Sequence, residues 1–106
     1  MWKYLTLLSM LLLIAPLVSA KYCGGATACE CGDLLNESYQ LSSDMQCNGT
    51  ALIIASNNIV LDCNGYAIIG NGTAYAIRNP VEGQRSGYTN ITIKNCKILN
   101  FSAGIY

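Results

Sequence analysis

The sequence predicts an all-β chain: a right-handed parallel β-helix of about three rungs that follows an N-terminal helical signal peptide. Three observations support this fold class. Short aliphatic runs recur along the chain and are separated by Asn, Gly, Ser and Asp. Three such runs form a cycle, and the first run of one cycle resembles the first run of the next. Beyond the N-terminus, no segment keeps the periodicity of an amphipathic helix.

Residues 1–20 are predicted to form the signal peptide. Lys3 gives a positively charged start, the run from Leu5 to Val18 is almost wholly apolar, and Val18-Ser19-Ala20 supplies the positions that a signal peptidase reads. The apolar run is shorter than the roughly 20 residues that span a bilayer. We therefore expect cleavage after Ala20 and a secreted or cell-surface protein, with a retained membrane anchor as the alternative.

Residues 21–36 are predicted to be an irregular, Cys-rich N-terminal cap, because the stretch from Cys23 to Cys31 is rich in Gly and Ala and has no periodicity. An even number of cysteines in an exported chain predicts disulfides, but sequence alone leaves fifteen pairings open. The six candidates are Cys23, Cys29, Cys31, Cys47, Cys63 and Cys96. We expect the first three to crosslink the cap.

Residues 37–106 are predicted to form the rungs, with the last one incomplete at the C-terminus. Each cycle has three short strands, and the turns between them are rich in Asn and Gly. The strands are expected at Ser38–Leu41, Met45–Cys47 and Ala51–Ile54, then at Asn58–Leu61, Tyr66–Ile69 and Ala74–Ile77, and finally at Asn90–Ile93, Cys96–Leu99 and Ala103–Tyr106.

Matching positions in the cycles are expected to stack. Aligning the first strands places Asn58 with Asn90, Ile59 with Ile91, and Leu61 with Ile93. Antiparallel hairpins are the rival interpretation, but they give no reason for this resemblance. Period-two alternation points the large aliphatic residues inward, and Asn tolerates the left-handed conformation of tight corners. Cys47 and Cys63 are both taken to follow the first strand of their cycle, which predicts a disulfide between adjacent rungs, with Cys96 near the same corner one rung later.

Catalytic chemistry is poorly represented in the predicted strands. Asp62 is alone at a corner, and its equivalent in the next cycle is Lys94, so paired carboxylates are missing. The chain has no His, which removes the commonest transition-metal ligand. The turn at Asp62-Cys63-Asn64-Gly65 lacks the later carboxylate of a calcium loop. We therefore expect no catalytic residues, no metal and no cofactor.

Surface features favour contacts with other molecules. The loop between the second and third cycles carries Glu82, Gln84, Arg85 and Tyr88, which form a possible contact surface. Sugar-stacking rings are possible at several tyrosines, although the same rings would also suit covering the coil; these are Tyr39, Tyr66, Tyr75, Tyr88 and Tyr106. Possible glycan attachment sites lie at the five Asn-x-Ser/Thr sequences, which are equally compatible with β-turns: Asn36, Asn48, Asn71, Asn90 and Asn100.

The run from Cys29 to Tyr106 resembles exported right-handed β-helix proteins of the pectin-lyase-like superfamily. The resemblance rests on Cys31-Gly32-Asp33, Leu52–Ile54, Asn58–Gly65 and Asn90–Cys96. Among such proteins are a periplasmic β-helix protein of copper-enzyme maturation and many surface-layer proteins and adhesins. The resemblance implies the fold more than an activity. Since members usually have many more rungs, it also implies that this chain is a fragment of a longer protein.

The function expected from these features is a non-catalytic structural or recognition module of a secreted or cell-surface protein, glycan-contacting or adhesin-like. The alternative is the N-terminal fragment of a carbohydrate-active enzyme, a polysaccharide lyase or glycoside hydrolase, whose active site lies beyond residue 106. Expected partners are polysaccharides or cell-envelope components, and further copies of the chain bound at the open C-terminal rung. A formal net charge of zero gives no reason to expect nucleic acid.

Overall fold

The computed structural model describes residues 20–80 and 86–106. The predicted signal peptide lies almost wholly outside these residues. Within them the chain is all-β, and the model contains no helix that is long and apolar enough to cross a membrane.

The described part of the chain forms short strands in three sheets. Sheet I has the order β1-β2-β5-β8-β11, sheet II the order β3-β6-β9, and sheet III the order β4-β7-β10. The strands are β1 (Tyr22–Cys23), β2 (Asp33–Leu35), β3 (Tyr39–Gln40), β4 (Met45–Gln46), β5 (Leu52–Ile54), β6 (Ile59–Asp62), β7 (Ala67–Ile69), β8 (Tyr75–Arg78), β9 (Ile91–Lys94), β10 (Lys97–Leu99) and β11 (Ala103–Ile105).

From β2 onward the chain visits sheets I, II and III in turn, and each return adds a strand beside the previous one. Every pairing between these strands is parallel. The predicted register is confirmed, because Ile59 pairs with Ile91 and Leu61 pairs with Ile93. This rotation excludes the antiparallel alternative for the described strands and is compatible with a β-helix.

Aliphatic side chains from all three sheets form one core. Sheet I contributes Leu35, Leu52, Ile54 and Ile77, sheet II contributes Ile59 and Leu61, and sheet III contributes Ile68; each is less than 2 % exposed or, for Ile59, 2 % exposed. The inward orientation predicted for the strands of β5 and β6 is therefore confirmed. In the last cycle Ile91 and Ile93 are only half-buried, although they pack against the same core.

Asn residues build the corners, as predicted. Asn58 and Asn90 both adopt positive φ, at 61° and 59°. The Nδ2 of Asn90 donates a hydrogen bond of 2.7 Å to the Oδ1 of Asn58, so the two amides stack from one cycle to the next. Because left-handed backbone costs most L-residues energy but is accessible to Asn, this ladder stabilises the tight turn into sheet II.

The segment predicted to be an irregular cap contains two strands of the stack. β1 pairs with β2, and β2 pairs with β5, so sheet I begins inside residues 21–36. Strands of two or three residues are too short to show a hydrophobic period, which is why the sequence pattern missed them. Gly24, which has a positive φ of 121°, packs closely against Glu37. A Cβ at position 24 would lie 2.4 Å from the Glu37 carbonyl oxygen.

All six cysteines are paired, but the predicted bridge between Cys47 and Cys63 is wrong. Cys47 follows β4 and lies at the corner of sheet III, whereas Cys63 follows β6 in sheet II. The residue that stacks on Cys63 is Cys96, which follows β9 in the same sheet, with 4.8 Å between Cα atoms. Of the three cysteines expected to crosslink the cap, Cys23 and Cys29 do bridge each other, but the expectation is wrong for Cys31, which bridges Cys47 and ties the N-terminal segment to the rungs.

Candidate functional site

The best-formed candidate site is an aromatic groove on sheet I, lined by Tyr75, Arg78, Asn79 and Tyr106, with a volume of about 270 Å³. Two neighbouring strands create it, because the pairing of β8 with β11 brings Tyr75 of β8 close to Tyr106, which directly follows β11. The ring centroids of Tyr75 and Tyr106 lie 4.7 Å apart at an angle of 63°, an edge-to-face contact. Both rings are among the tyrosines predicted as possible sugar-stacking groups, and strand pairing is what brings them together.

Backbone hydrogen bonds between the end of β8 and Tyr106, which follows β11, hold this groove in place. The Tyr106 N–H donates to the carbonyl of Ile77 at 2.9 Å, and the Asn79 N–H donates to the carbonyl of Tyr106 at 2.8 Å. Parallel ladder bonds therefore continue to the last residue. The result is a groove whose two rings stand on paired backbone rather than on a loop.

Asn79 also holds the base of the predicted contact loop. Its Nδ2 donates to the carbonyl of Tyr88 and its Oδ1 accepts from the Tyr88 N–H, both at 2.8 Å. Tyr88 packs against the core. The other predicted contact residues, Glu82, Gln84 and Arg85, lie outside the described residues. The loop thus leaves and rejoins the fold beside the aromatic groove.

Arg78 supplies the charge of the groove. It is exposed, and its guanidinium has no hydrogen bond or ion pair among the residues that the structure describes. A guanidinium has five donors in a planar fork that matches a carboxylate or phosphate. Together, the tyrosine rings and the exposed guanidinium provide a stacking surface and a group that recognises anions at one place.

A second, polar groove of about 330 Å³ covers the outer face of sheet II. The strand register places Gln40, Asp62 and Lys94 side by side on β3, β6 and β9. The expected juxtaposition of Asp62 and Lys94 is therefore confirmed. Remaining lining residues are Gly25, Ser38, Tyr39 and Val60.

Asp62 is held in its ionised form in this polar groove. Its Oδ1 accepts hydrogen bonds from the Asn95 Nδ2 and the Asn64 N–H, both at 2.9 Å. The Asn95 amide and then the Asn64 N–H lower the pKa of Asp62; desolvation opposes them, and the Lys94 charge adds a smaller lowering. A carboxyl group with a lowered pKa carries no proton near neutral pH, so it is unsuited to act as a general acid.

The other predicted surface residues are dispersed. Tyr66 is exposed at a corner, while Tyr39 borders the polar groove. Among the five sequon asparagines, Asn36 is half-buried and the other four are exposed: Asn48, Asn71, Asn90 and Asn100. The side-chain amides of the last three donate hydrogen bonds to the neighbouring cycle. The Asn48 side chain has no such bond within the described ranges, so it is the most accessible attachment point.

Comparison of the chain with known protein families, curated proteins and solved structures gives no match. Within residues 20–80 and 86–106, no group of three or more His, Cys, Asp or Glu side chains is arranged to hold a metal ion. The chemical content of the two grooves therefore carries the functional assignment.

Proposed function

We propose that this chain is a non-catalytic recognition module of an exported or cell-surface protein, and that its aromatic groove contacts acidic glycans. We also propose that its three sheets are the faces of a right-handed parallel β-helix related to the pectin-lyase-like superfamily. The observation that carries the functional part is the Tyr75–Tyr106 ring contact beside the exposed guanidinium of Arg78.

The fold and the bridges support an exported module. Three parallel sheets visited in rotation give an elongating stack, in which each cycle offers the same outward positions. Three disulfides are typical of proteins that mature in an oxidising compartment outside the cytosol. A rigid surface of this kind is suited to display and recognition.

Groove chemistry supports a sugar ligand that carries a negative charge. Tyrosine rings stack on the C–H faces of pyranose rings while their hydroxyls remain in water. Arg78 can bind a uronate carboxylate with two parallel hydrogen bonds. Within the part of the chain that the structure describes, the lining residues of the groove include no Asp or Glu side chain.

A second candidate function, a carbohydrate-active protein, is favoured by the polar groove. Asp62 and Lys94 are paired across adjacent strands there, which gives an acid and a cation on one face. Most glycosidases need two carboxyl groups with separated pKa values, whereas Asp62 is the only carboxylate that lines this groove. Recognition is therefore the better supported function.

Binding to immobilised polyuronate, with neutral dextran as the comparison, tests the proposal. We expect retention on polyuronate that weakens with added salt, because the Arg78 contact is exposed and screened. Tyr75→Ala and Arg78→Gln should each weaken binding by about tenfold, equivalent to about 1.4 kcal/mol. Tyr66→Ala and Lys97→Gln are the matched controls, since both alter exposed residues outside the groove.

Two results would count against recognition through this groove. Equal retention of all four variants would place any binding elsewhere. Release of shortened or unsaturated oligosaccharides, lost in Asp62→Asn but retained in Arg78→Gln, would favour the carbohydrate-active alternative.

A further inference from the structure

Asp33 is the one charged residue that is buried in the described part of the chain, at 3 % exposure. Its Oδ2 accepts hydrogen bonds from the Lys21 Nζ and, at 2.8 Å, from the Glu30 N–H. Its Oδ1 accepts from the backbone nitrogen of Lys21 at 3.3 Å. The carboxylate thus holds both nitrogens of a single residue, one from the side chain and one from the main chain.

The charges around Asp33 are unbalanced in the uncleaved chain. The Lys21 Nζ also lies 3.4 Å from Glu30 Oε1, so one ammonium faces two carboxylates. Burial raises the pKa of Asp33, but hydrogen bonds from the Lys21 ammonium and from the Glu30 and Lys21 N–H groups outweigh it and lower the pKa overall. The site therefore favours the ionised form of Asp33, and a second positive charge there would balance the two carboxylates.

The main-chain nitrogen of Lys21 lies directly before the first strand of sheet I. β1 begins at the next residue, and Cys23 in β1 is crosslinked to Cys29. The Lys21 carbonyl accepts from the Leu34 N–H at 2.8 Å, so Lys21 is fixed on its C-terminal side. Ala20 and Lys21 are both exposed residues.

We propose that hydrolysis of the bond between Ala20 and Lys21 creates an α-ammonium that forms an ion pair with the buried Asp33 carboxylate. Water supplies a hydroxyl to the Ala20 carbonyl carbon and a proton to the Lys21 nitrogen as the C–N bond breaks. The new amine takes one further proton from solvent. Two cations, the α-ammonium and Nζ of Lys21, then face Asp33 and Glu30, and the cluster is neutral.

Cleavage after Ala20 would thereby add an ion pair that fixes the N-terminus of the mature chain to Asp33. An ionised donor makes a stronger hydrogen bond to a carboxylate than a neutral amide does. The proposal depends on the proposed export of the chain, since the peptidase acts during export, but it does not depend on glycan binding. Failure at the aromatic groove would leave it unchanged.

The ion pair has a defined pH dependence. Asp33 and Glu30 should raise the pKa of the α-amino group above its ordinary value of about 7.7–8.0, while the nearby Lys21 Nζ opposes the rise. A group whose pKa is raised in the folded state stabilises that state below its ordinary pKa. This stabilisation is lost as the pH rises through the raised value.

The test uses the full 106-residue chain expressed in a secreting host. N-terminal sequencing of the product should give Lys21 first. A variant with Gly-Ser inserted between Ala20 and Lys21 should be cleaved after Ala20. Its α-ammonium then lies on the inserted Gly, two residues before Lys21, and so is displaced from Asp33. At pH 6–7 the unaltered product should melt higher than this variant by about 4–8 °C. The difference should disappear at strongly alkaline pH.

The rate of α-amine acylation as a function of pH gives the α-amino pKa directly. Asp33→Asn should return the pKa to its ordinary value, whereas Asp44→Asn should leave it raised, because Asp44 accepts a hydrogen bond from Ala67 instead. A first residue other than Lys21, or equal α-amino pKa values in the unaltered and inserted forms, would overturn the proposal. The inserted form keeps Asp33, so the comparison holds even if Asp33→Asn fails to fold.

Discussion

The middle and last cycles use similar residues at paired positions but bury them very differently. Ile77 in β8 is 0 % exposed, whereas Ile105, its partner in β11, is 56 % exposed. In sheet III, Ile68 is 0 % exposed, and Ile98, which pairs with it, is only half-buried. Burial in this fold therefore depends on a residue's position in the stack more than on its type or its strand.

This difference has a simple cause. β8 has a parallel neighbour on each side, β5 and β11, whereas β11 has β8 alone among the described strands. In repeat folds each unit is stabilised by its intrinsic terms and by the interfaces with its nearest neighbours. The middle cycle has two such interfaces and the last cycle has one.

The largest expected contrast is between Ile77→Ala and Ile105→Ala. Removing the buried side chain of Ile77 leaves a cavity and should lower the free energy of unfolding by about 3–4 kcal/mol. The same truncation at the exposed Ile105 should cost about 1 kcal/mol or less. Urea unfolding of the two variants measures this, and equal losses would contradict the two-interface account.

The disulfides provide a second contrast, between a bridge that joins two cycles and a bridge within the N-terminal segment. Cys63–Cys96 joins the middle and last cycles across 33 residues, whereas Cys23–Cys29 closes only 6. In the chain-entropy model the longer loop contributes about 3.5–4 kcal/mol and the shorter about 2 kcal/mol. We expect the Cys63→Ala/Cys96→Ala pair to be destabilised more, by urea unfolding, than Cys23→Ala/Cys29→Ala. A reversed order would contradict the loop-length account of how these two bridges stabilise the chain.

The edge strands of the last cycle provide a third contrast. β9 and β10 carry Lys94 and Lys97, and edge lysines oppose strand-to-strand association, but β11 carries no charge. We therefore propose self-association through β11. Ile105→Lys should weaken it by about tenfold, while Leu99→Lys in β10 should have little effect. Sedimentation at several concentrations gives the result, and concentration-independent monomers of the unaltered chain would contradict it.

The smallest expected effect lies in the corner before β8. Ala74 has a φ of 58°, a conformation that is unfavourable for Ala, unlike the Asn residues at the other corners. Ala74→Gly should raise the free energy of unfolding by about 0.5 kcal/mol, since relief of this strain slightly exceeds the added flexibility of the unfolded chain. Ala55→Gly, at a half-buried position with ordinary φ, is the control and should be destabilising.

Stacking of the cycles was predictable from the sequence because the inward residues repeat. Ile59 and Leu61 align with Ile91 and Ile93, and the flanking asparagines mark the corner, so the register in sheet II followed directly. The predicted Cys47–Cys63 bridge places Cys47 after the first strand of its cycle, although Cys47 ends the second strand. Aligning the first strands brings Cys63 close to Cys96, so the observed bridge was within reach of the sequence pattern.

The aromatic groove and the Asp33 cluster also escaped prediction, for different reasons. Tyr75 and Tyr106 each lie in the predicted third strand of a cycle. Aligning the third strands of the two cycles places the two tyrosines on neighbouring strands. Asp33 offered no such signal, since its burial depends on Lys21 folding back over 12 residues through the pairing of two very short strands.

Peptide mapping under non-reducing conditions tests the central claim, that successive cycles stack in parallel, most directly. Combined cleavage before aspartates and after basic residues separates Cys47, Cys63 and Cys96 into different peptides. The structure predicts that the peptide Asp62–Arg78 is linked to Asn95–Lys97, and that the peptide holding Cys47 is linked to the one holding Cys31. A peptide joining Cys47 to Cys63 would contradict the parallel register described above, in which Cys63, after β6 of sheet II, stacks on Cys96 and not on Cys47.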